Sequence, residues 1–492
     1  MARALIALRA ALLRPAPAWA WWAVAACVIG CFVLACWAFA FPLSYCDSPS
    51  WAPDYLARLV DTREIIVKQR GVVVPAWFRL WGTLSIASGL GNLIGWVQAA
   101  ALGSAALAVL LRLRRDARSV ELLVLPALAL SGLRHAIYSQ TLLSESVVVP
   151  LVVAVAFWTM REGTPSLRQC AALAALAALA TNARIENLLL VLLVLGRIAM
   201  DRSPFCERAR RLGLALGVAV AVLVALAQLS PALRGEPIGR VMIVAEWMRF
   251  SEPPHTALAR LLHFDLVDRL AAETAAARIR HIYDGLAPTR RLFGSSAAPG
   301  GLEIARLVAY QLVNRPFAVF ADRLGTLADL HASGYAAFWP SYRPWSAFYS
   351  PYDQVFARWT PDEFQQARYS CPGFARAQAL HYDRPAIRSE SAVRFLRVLH
   401  EAAEGYARWV LRPSFWLAIP ACLYLLTRGR GGKPYAWLAA LLLASLALRA
   451  ALVCADERYQ LPVDLLAVAW LMLTLRYSLG GAATPDGAAE GK

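Results

Sequence analysis

Apolar residues along the chain gather in runs of about the length that a helix needs to cross a bilayer core, roughly 20 residues for about 30 Å. The runs occupy residues 18–41, 85–111, 120–133, 142–158, 169–183, 187–200, 212–233, 413–426, 435–454 and 462–475. They predict an all-α polytopic membrane protein of about ten transmembrane helices. The first run follows a leader bearing Arg3, Arg9 and Arg14, and it is too long and Trp-rich for a signal peptide, so an uncleaved span is expected. Residues 169–200 are expected to form a hairpin. A single helix there would carry Arg184 and Glu186 to the bilayer centre, at about 2.5–3.5 kcal/mol for a central arginine.

The polar connections then set the orientation. With the N-terminus inside, the inner connections hold Arg112, Arg114, Arg115 and Arg118, then Arg161 and Arg168, then Arg197, Arg202, Arg208, Arg210 and Arg211, then Arg428, Arg430 and Lys433. The short outer connections hold Arg134, Arg184 and Arg458, one each. This asymmetry puts both termini in the cytoplasm. Two outer connections are long, 42–84 and 234–412, and the second is large enough to be a domain. The expected organisation is a transmembrane region over 1–233, an external domain over 234–412, a second transmembrane region over 413–479 and a disordered tail over 480–492. Residues 391–410 have helical apolar spacing and read as a surface helix leading into the eighth span.

Composition agrees with this layout. Hydrophobic residues make up 59% and charged residues 17%, far from the balance of a water-surrounded domain. The net charge of +17 is nearly all arginine, since lysine occurs only at Lys68, Lys433 and Lys492. Because that charge lies in short loops it reports orientation, and no basic-aromatic repeat or zinc spacing supports nucleic-acid binding. Cys27, Cys31 and Cys36 fall in the first span as small packing residues, while Cys46, Cys371 and Cys454 fall on the outer side, where a disulfide is permitted with its pairing open.

Ionisable residues recur at the outer ends of the spans: Asp47 and Asp54 after the first, Arg134-His135 and Ser144-Glu145 between the third and fourth, Arg184 and Glu186 between the fifth and sixth, and Asp456-Glu457-Arg458-Tyr459 after the ninth. Each has a plain structural alternative. Glu145 suits a helix start, Arg184 and Glu186 a solvated turn, Arg458 an interfacial anchor and Asp54 a helix cap. His135 has no second ligand at metal spacing. Collected at one depth, they fit a cavity at the membrane boundary.

These residues in this order resemble the GT-C superfamily of integral-membrane glycosyltransferases, which includes protein mannosyltransferases and aminoarabinose transferases. Asp47 matches the acidic residue after the first span, Ser144-Glu145 the Ser-Glu pair opening a later span, residues 181–186 the arginine-containing turn, and Arg458-Tyr459 the late Arg-Tyr pair. The resemblance covers the layout from residue 1 to about 475. It implies a polyprenyl-phosphate sugar donor, inversion at the anomeric carbon, and a glycan, lipid or protein acceptor. Asp47, or Asp54 as the competing choice, would be the base. Arg458 and Arg184, then Arg134, would hold the leaving phosphate, with Glu145, Glu186, Tyr459 and His135 completing the substrate-binding set. Trp345, Tyr349 and Tyr352 lie in an aromatic-dense stretch that reads as a packed or interfacial segment or as a lid. No cofactor is expected, although some relatives in the superfamily use a divalent cation. The Ala- and Arg-rich composition suits a bacterial inner membrane. A transporter or lipid flippase, or a membrane scaffold with an external partner-binding domain, is the competing class. Midplane charges on broken helices and inverted repeats, which mark transporters, are not evident.

Overall fold

The computed structural model describes residues 2–12, 14–39, 71–90, 92–114, 118–141, 144–159, 164–184, 187–201, 203–229, 238–277, 288–289, 291–293, 300–332, 388–406, 409, 416, 444 and 461–480. Among the described residues regular structure is helical, with an isolated bridge between Pro15 and Arg118. The bundle is built from α1 (Ala2–Leu12), α2 (Ala18–Ala38), α3 (Val73–Ala87), α4 (Leu93–Arg114), α5 (Leu125–Tyr138), α6 (Glu145–Thr159), α7 (Leu167–Ala183), α8 (Leu188–Ala199) and α9 (Phe205–Leu229). Further on come α10 (Ile238–Trp247), α11 (Ala257–Leu262), α12 (Asp265–Ala277), α13 (Gly301–Asn314), α14 (Pro316–Ala332), α15 (Glu390–Tyr406) and α16 (Leu461–Gly480).

Among the described residues three helices, α2, α4 and α9, are long and apolar enough to cross a membrane, and α6, α8 and residues 464–475 of α16 are shorter apolar helices. In α2 one face buries Trp21, Val28, Phe32 and Cys36, whereas Trp19, Trp22, Ile29, Val33 and Trp37 stay exposed. Gly132 of α5 lies against it. A Cβ there would fall 2.8 Å from Val28 Cγ2, so the missing side chain lets the two helices approach closely. Beyond its charged first turns α9 is apolar all round, yet among its described side chains only Ala215 and Ala219 are buried, one turn apart. Leu216, Val220 and Val224 remain exposed, the distribution of a helix whose outer solvent is lipid.

Short connections alternate the chain between two ends. At one, which we call the arginine end, Ser119 N–H donates to Arg14 O at 2.7 Å, Arg197 Nε to Thr159 O at 3.2 Å, and Arg211 pairs with Asp201 at 2.9 Å. α9 starts at Phe205, so Arg208, Arg210 and Arg211, expected in a loop, ride on its first turns. The buried Asp201 gives them a reason to do so, since Arg208 also donates to its carbonyl at 3.2 Å.

Three sequence expectations change. The run 85–111 is broken: Gly89 at φ +69 and a Ser85 Oγ bond to Leu90 O at 2.7 Å end α3 and turn the chain before α4. α3 therefore occupies part of the expected loop 42–84. Its first turn is fastened to the end of α7 by Val73 N–H to Asn182 Oδ1 at 3.0 Å, and Gly71 passes so close that a Cβ would fall on the Asn182 carbonyl. Its other end leads to Asn92, bonded to Phe39 O at 3.0 Å at the end of α2. With both ends at the same end of the bundle, α3 lies across it.

Arg134 and His135, expected in a connection, sit inside α5, which continues to Tyr138 because their polar groups find partners within the chain. The last change is in the expected domain 234–412. α15 leaves it and packs Ala392, Val393, Leu396 and Ala403 into the bundle core, tied to α2 by Arg388 N–H to Ala38 O at 2.9 Å. Helices α10 to α14 form their own small core around Val244, Trp247, Met248, Leu270, Leu307 and Tyr310. The hairpin over 169–200 is present as α7 and α8, broken at Arg184.

Candidate functional site

The end of the bundle opposite the arginine end carries the polar residues. α7 stops at Arg184, whose extended backbone ends the helix while its N–H still donates to Ala180 O at 2.9 Å. Asn187 completes the turn, donating through Nδ2 to the same carbonyl at 3.0 Å. The Arg184 guanidinium then reaches the start of α6, where Nη1 meets Glu145 Oε1 at 2.7 Å and donates to Ser144 Oγ at 3.2 Å. Ser144 Oγ donates in turn to the other Glu145 oxygen at 3.3 Å. Each charge sits where a helix dipole favours it, the carboxylate in the first turn of α6 and the guanidinium past the last turn of α7. Glu145 is buried, but Arg184 keeps 15% of its side chain exposed.

A second ion pair lies deeper. Arg134 Nη1 approaches Asp464 Oδ2 at 2.9 Å, with 1% and 9% of the two side chains exposed. Asp464 stands in the first turn of α16, so the pair joins that helix to α5. Next to it His135 Nδ1 donates to Ser131 O at 2.6 Å. A layer of amides locks the remaining helices. Asn92 Nδ2 donates to Gln140 Oε1 at 2.8 Å, Gln140 Nε2 to Ser139 Oγ at 2.8 Å, and Gln98 Nε2 to Ser139 O at 3.1 Å. The layer holds the ends of α2 and α5 and the start of α4 in fixed register.

No protein-family model, curated protein or solved structure matches this chain.

Arg184, bonded through Nη1 to Ser144 and Glu145 and with 15% of its side chain exposed, is of the residue type whose planar donors suit an anionic oxygen. Arg134 has no comparable open face, because it is sealed beside Asp464, and its position suits bracing better than ligand capture. Of the candidates read from the sequence, Glu145, Arg184, Arg134 and His135 fall at this end together, and Glu145 and Arg184 are in direct contact. Asp47, Asp54, Glu186, Arg458 and Tyr459 lie outside the described residues, as do Cys46, Cys371, Cys454, Trp345, Tyr349 and Tyr352. Among the described residues no group of three or more His, Cys, Asp or Glu side chains is arranged to hold a metal ion.

Sequence reasoning missed Asp464, Asn92, Gln98 and Gln140. Asp464 had a usable signal, a lone carboxylate within an apolar run, which in a membrane helix implies a partner. The amides carry no charge and gave none.

Proposed function

We propose that the protein is a multi-pass membrane glycosyltransferase that moves a sugar from a polyprenyl-phosphate donor to an acceptor, with inversion. The observation that carries this reading is the Ser144-Glu145 to Arg184 constellation at the junction of two helix ends. A leaving polyprenyl phosphate needs a fixed cation at the lipid boundary. A guanidinium oriented by a buried carboxylate supplies one at no reorganisation cost during reaction. In this scheme Arg184 and Arg458 hold the phosphate, Glu145 orients Arg184, Glu186 and Tyr459 bind sugar or phosphate, and Asp47 takes the acceptor proton. The site faces the periplasm of a bacterial inner membrane and both termini face the cytoplasm. The gathering of arginine-rich connections at the opposite end supports that orientation.

Purified protein in proteoliposomes, supplied with a panel of polyprenyl-phosphate sugars, tests the reading. The wild type should transfer from at least one donor, Asp47→Asn should fold normally and lose transfer, and Arg184→Ala should lose donor affinity. Full transfer by Asp47→Asn moves the base to Asp54. Donor affinity unchanged in Arg184→Ala removes the phosphate role and with it the main support for the reading.

A further inference from the structure

Helix α14 is built inside out. Toward the rest of its domain it turns Val319, Asp322 and Arg323. The two charged residues enter an ionic knot in which Arg249 meets Glu246 at 2.6 Å and Asp322 at 2.7 Å, and Arg323 meets Glu246 at 2.7 Å while lying over the Trp247 and Phe250 rings. Outward it presents Phe317, Phe320 and Leu324, exposed by 86%, 63% and 49%, flanked by the small residues Ala321 and Gly325. Spacings of three and four residues put the three large side chains on one stripe. A helix in water places its charges outside and its phenylalanines inside, so the outward stripe fits an apolar surrounding.

The fold says which surrounding lies within reach. The domain is tethered to the end of α9 through residues 230–237, a connection that spans at most about 30 Å when fully extended. α9 already shows an uncovered apolar surface in Leu216, Val220 and Val224. The geometry points to α14 lying on the bilayer next to α9, with Phe317, Phe320 and Leu324 in the boundary between headgroups and acyl chains. This rests on α9 crossing the membrane, as in the reading above, and is independent of the transferase chemistry. An aromatic stripe seated at that depth holds the α10 to α14 domain against the surface from which a lipid-linked substrate would be drawn.

The test uses the full chain in nanodiscs of phosphatidylethanolamine and phosphatidylglycerol carrying a tritium label in the acyl chains. Benzoylphenylalanine is placed singly at positions 317, 320, 220 and 272, the last replacing the exposed Ala272 of α12. On irradiation, positions 317 and 320 should take up lipid label to about the level of position 220 and about tenfold above position 272. Label at 220 with background at 317 and 320 overturns the proposal while leaving the span intact. Cross-links from 317 or 320 to a peptide of the same chain or to a second copy also overturn it, because another occupant then covers the stripe. Absence of label at 220 removes the spanning helix, and the proposal falls with it.

Discussion

At the arginine end, the buried Asp201 is shared by Arg197, Arg208 and Arg211, and Glu207 on the surface takes a second bond from Arg211. At the opposite end, Asp464 answers Arg134 and Glu145 answers Arg184, one carboxylate for each cation. The first arrangement has cations in excess and leaves them part-exposed around a single buried carboxylate, where they cost less than a fully sealed cation. The second encloses both members of the Arg134–Asp464 pair and the carboxylate of the Arg184–Glu145 pair, and taking ions out of water is expensive even when they are well matched. Charge kept where it is costly makes the second end the better candidate for a functional site.

The contrast can be broken by substitution. Asp464→Ala removes the carboxylate beside a sealed guanidinium and should lower stability by about 3–5 kcal/mol in thermal denaturation of the detergent-solubilised protein. Arg134→Met combined with Asp464→Leu should recover most of that loss. Under the proposed function, Glu145→Gln should reduce sugar transfer about 100-fold, near 2.7 kcal/mol of transition-state stabilisation, with little change in melting. Adding Arg184→Ala to it should give far less than the product of the two single losses, because the two side chains act as one unit. Gly71→Ala forces a methyl group onto the Asn182 carbonyl and should cost about 1–3 kcal/mol, seen as lower melting and as proteolysis within α3. Asp201→Asn keeps a buried polar group of the same shape whose amide oxygen can still accept from Arg211 and Thr164, so it should cost about 1–2 kcal/mol and leave the proposed transfer unchanged. If Asp201→Asn proves as damaging as Asp464→Ala, the distinction between the two ends does not hold.

Helices α2, α6, α7, α8 and α9 were legible because average apolarity over a window and arginine placement are local properties of the chain. The hairpin at Arg184 was legible for the same reason, since the cost of a central charge can be judged without knowing its neighbours. What escaped depended on distant partners or on backbone chemistry. The stretch Ser88-Gly89-Leu90-Gly91-Asn92 carried turn residues, but the apolar residues on both sides masked a positive φ at Gly89. Arg134 read as a loop residue because nothing near it in sequence shows that Asp464 arrives to meet it. α15 carried a legible amphipathic face, yet only its docking on α2 and α5 assigns it to the bundle.

The bond between Val73 and Asn182 also dictates an order of assembly. Its two ends lie 109 positions apart, so at synthesis rates of about 5–20 residues per second α3 leaves the ribosome roughly 5–20 s before its anchor. During that interval α3 has no Asn182 to dock against. Docking of α3 is timed by the arrival of α7, and the polar end is completed later still, when α16 brings Asp464 to Arg134.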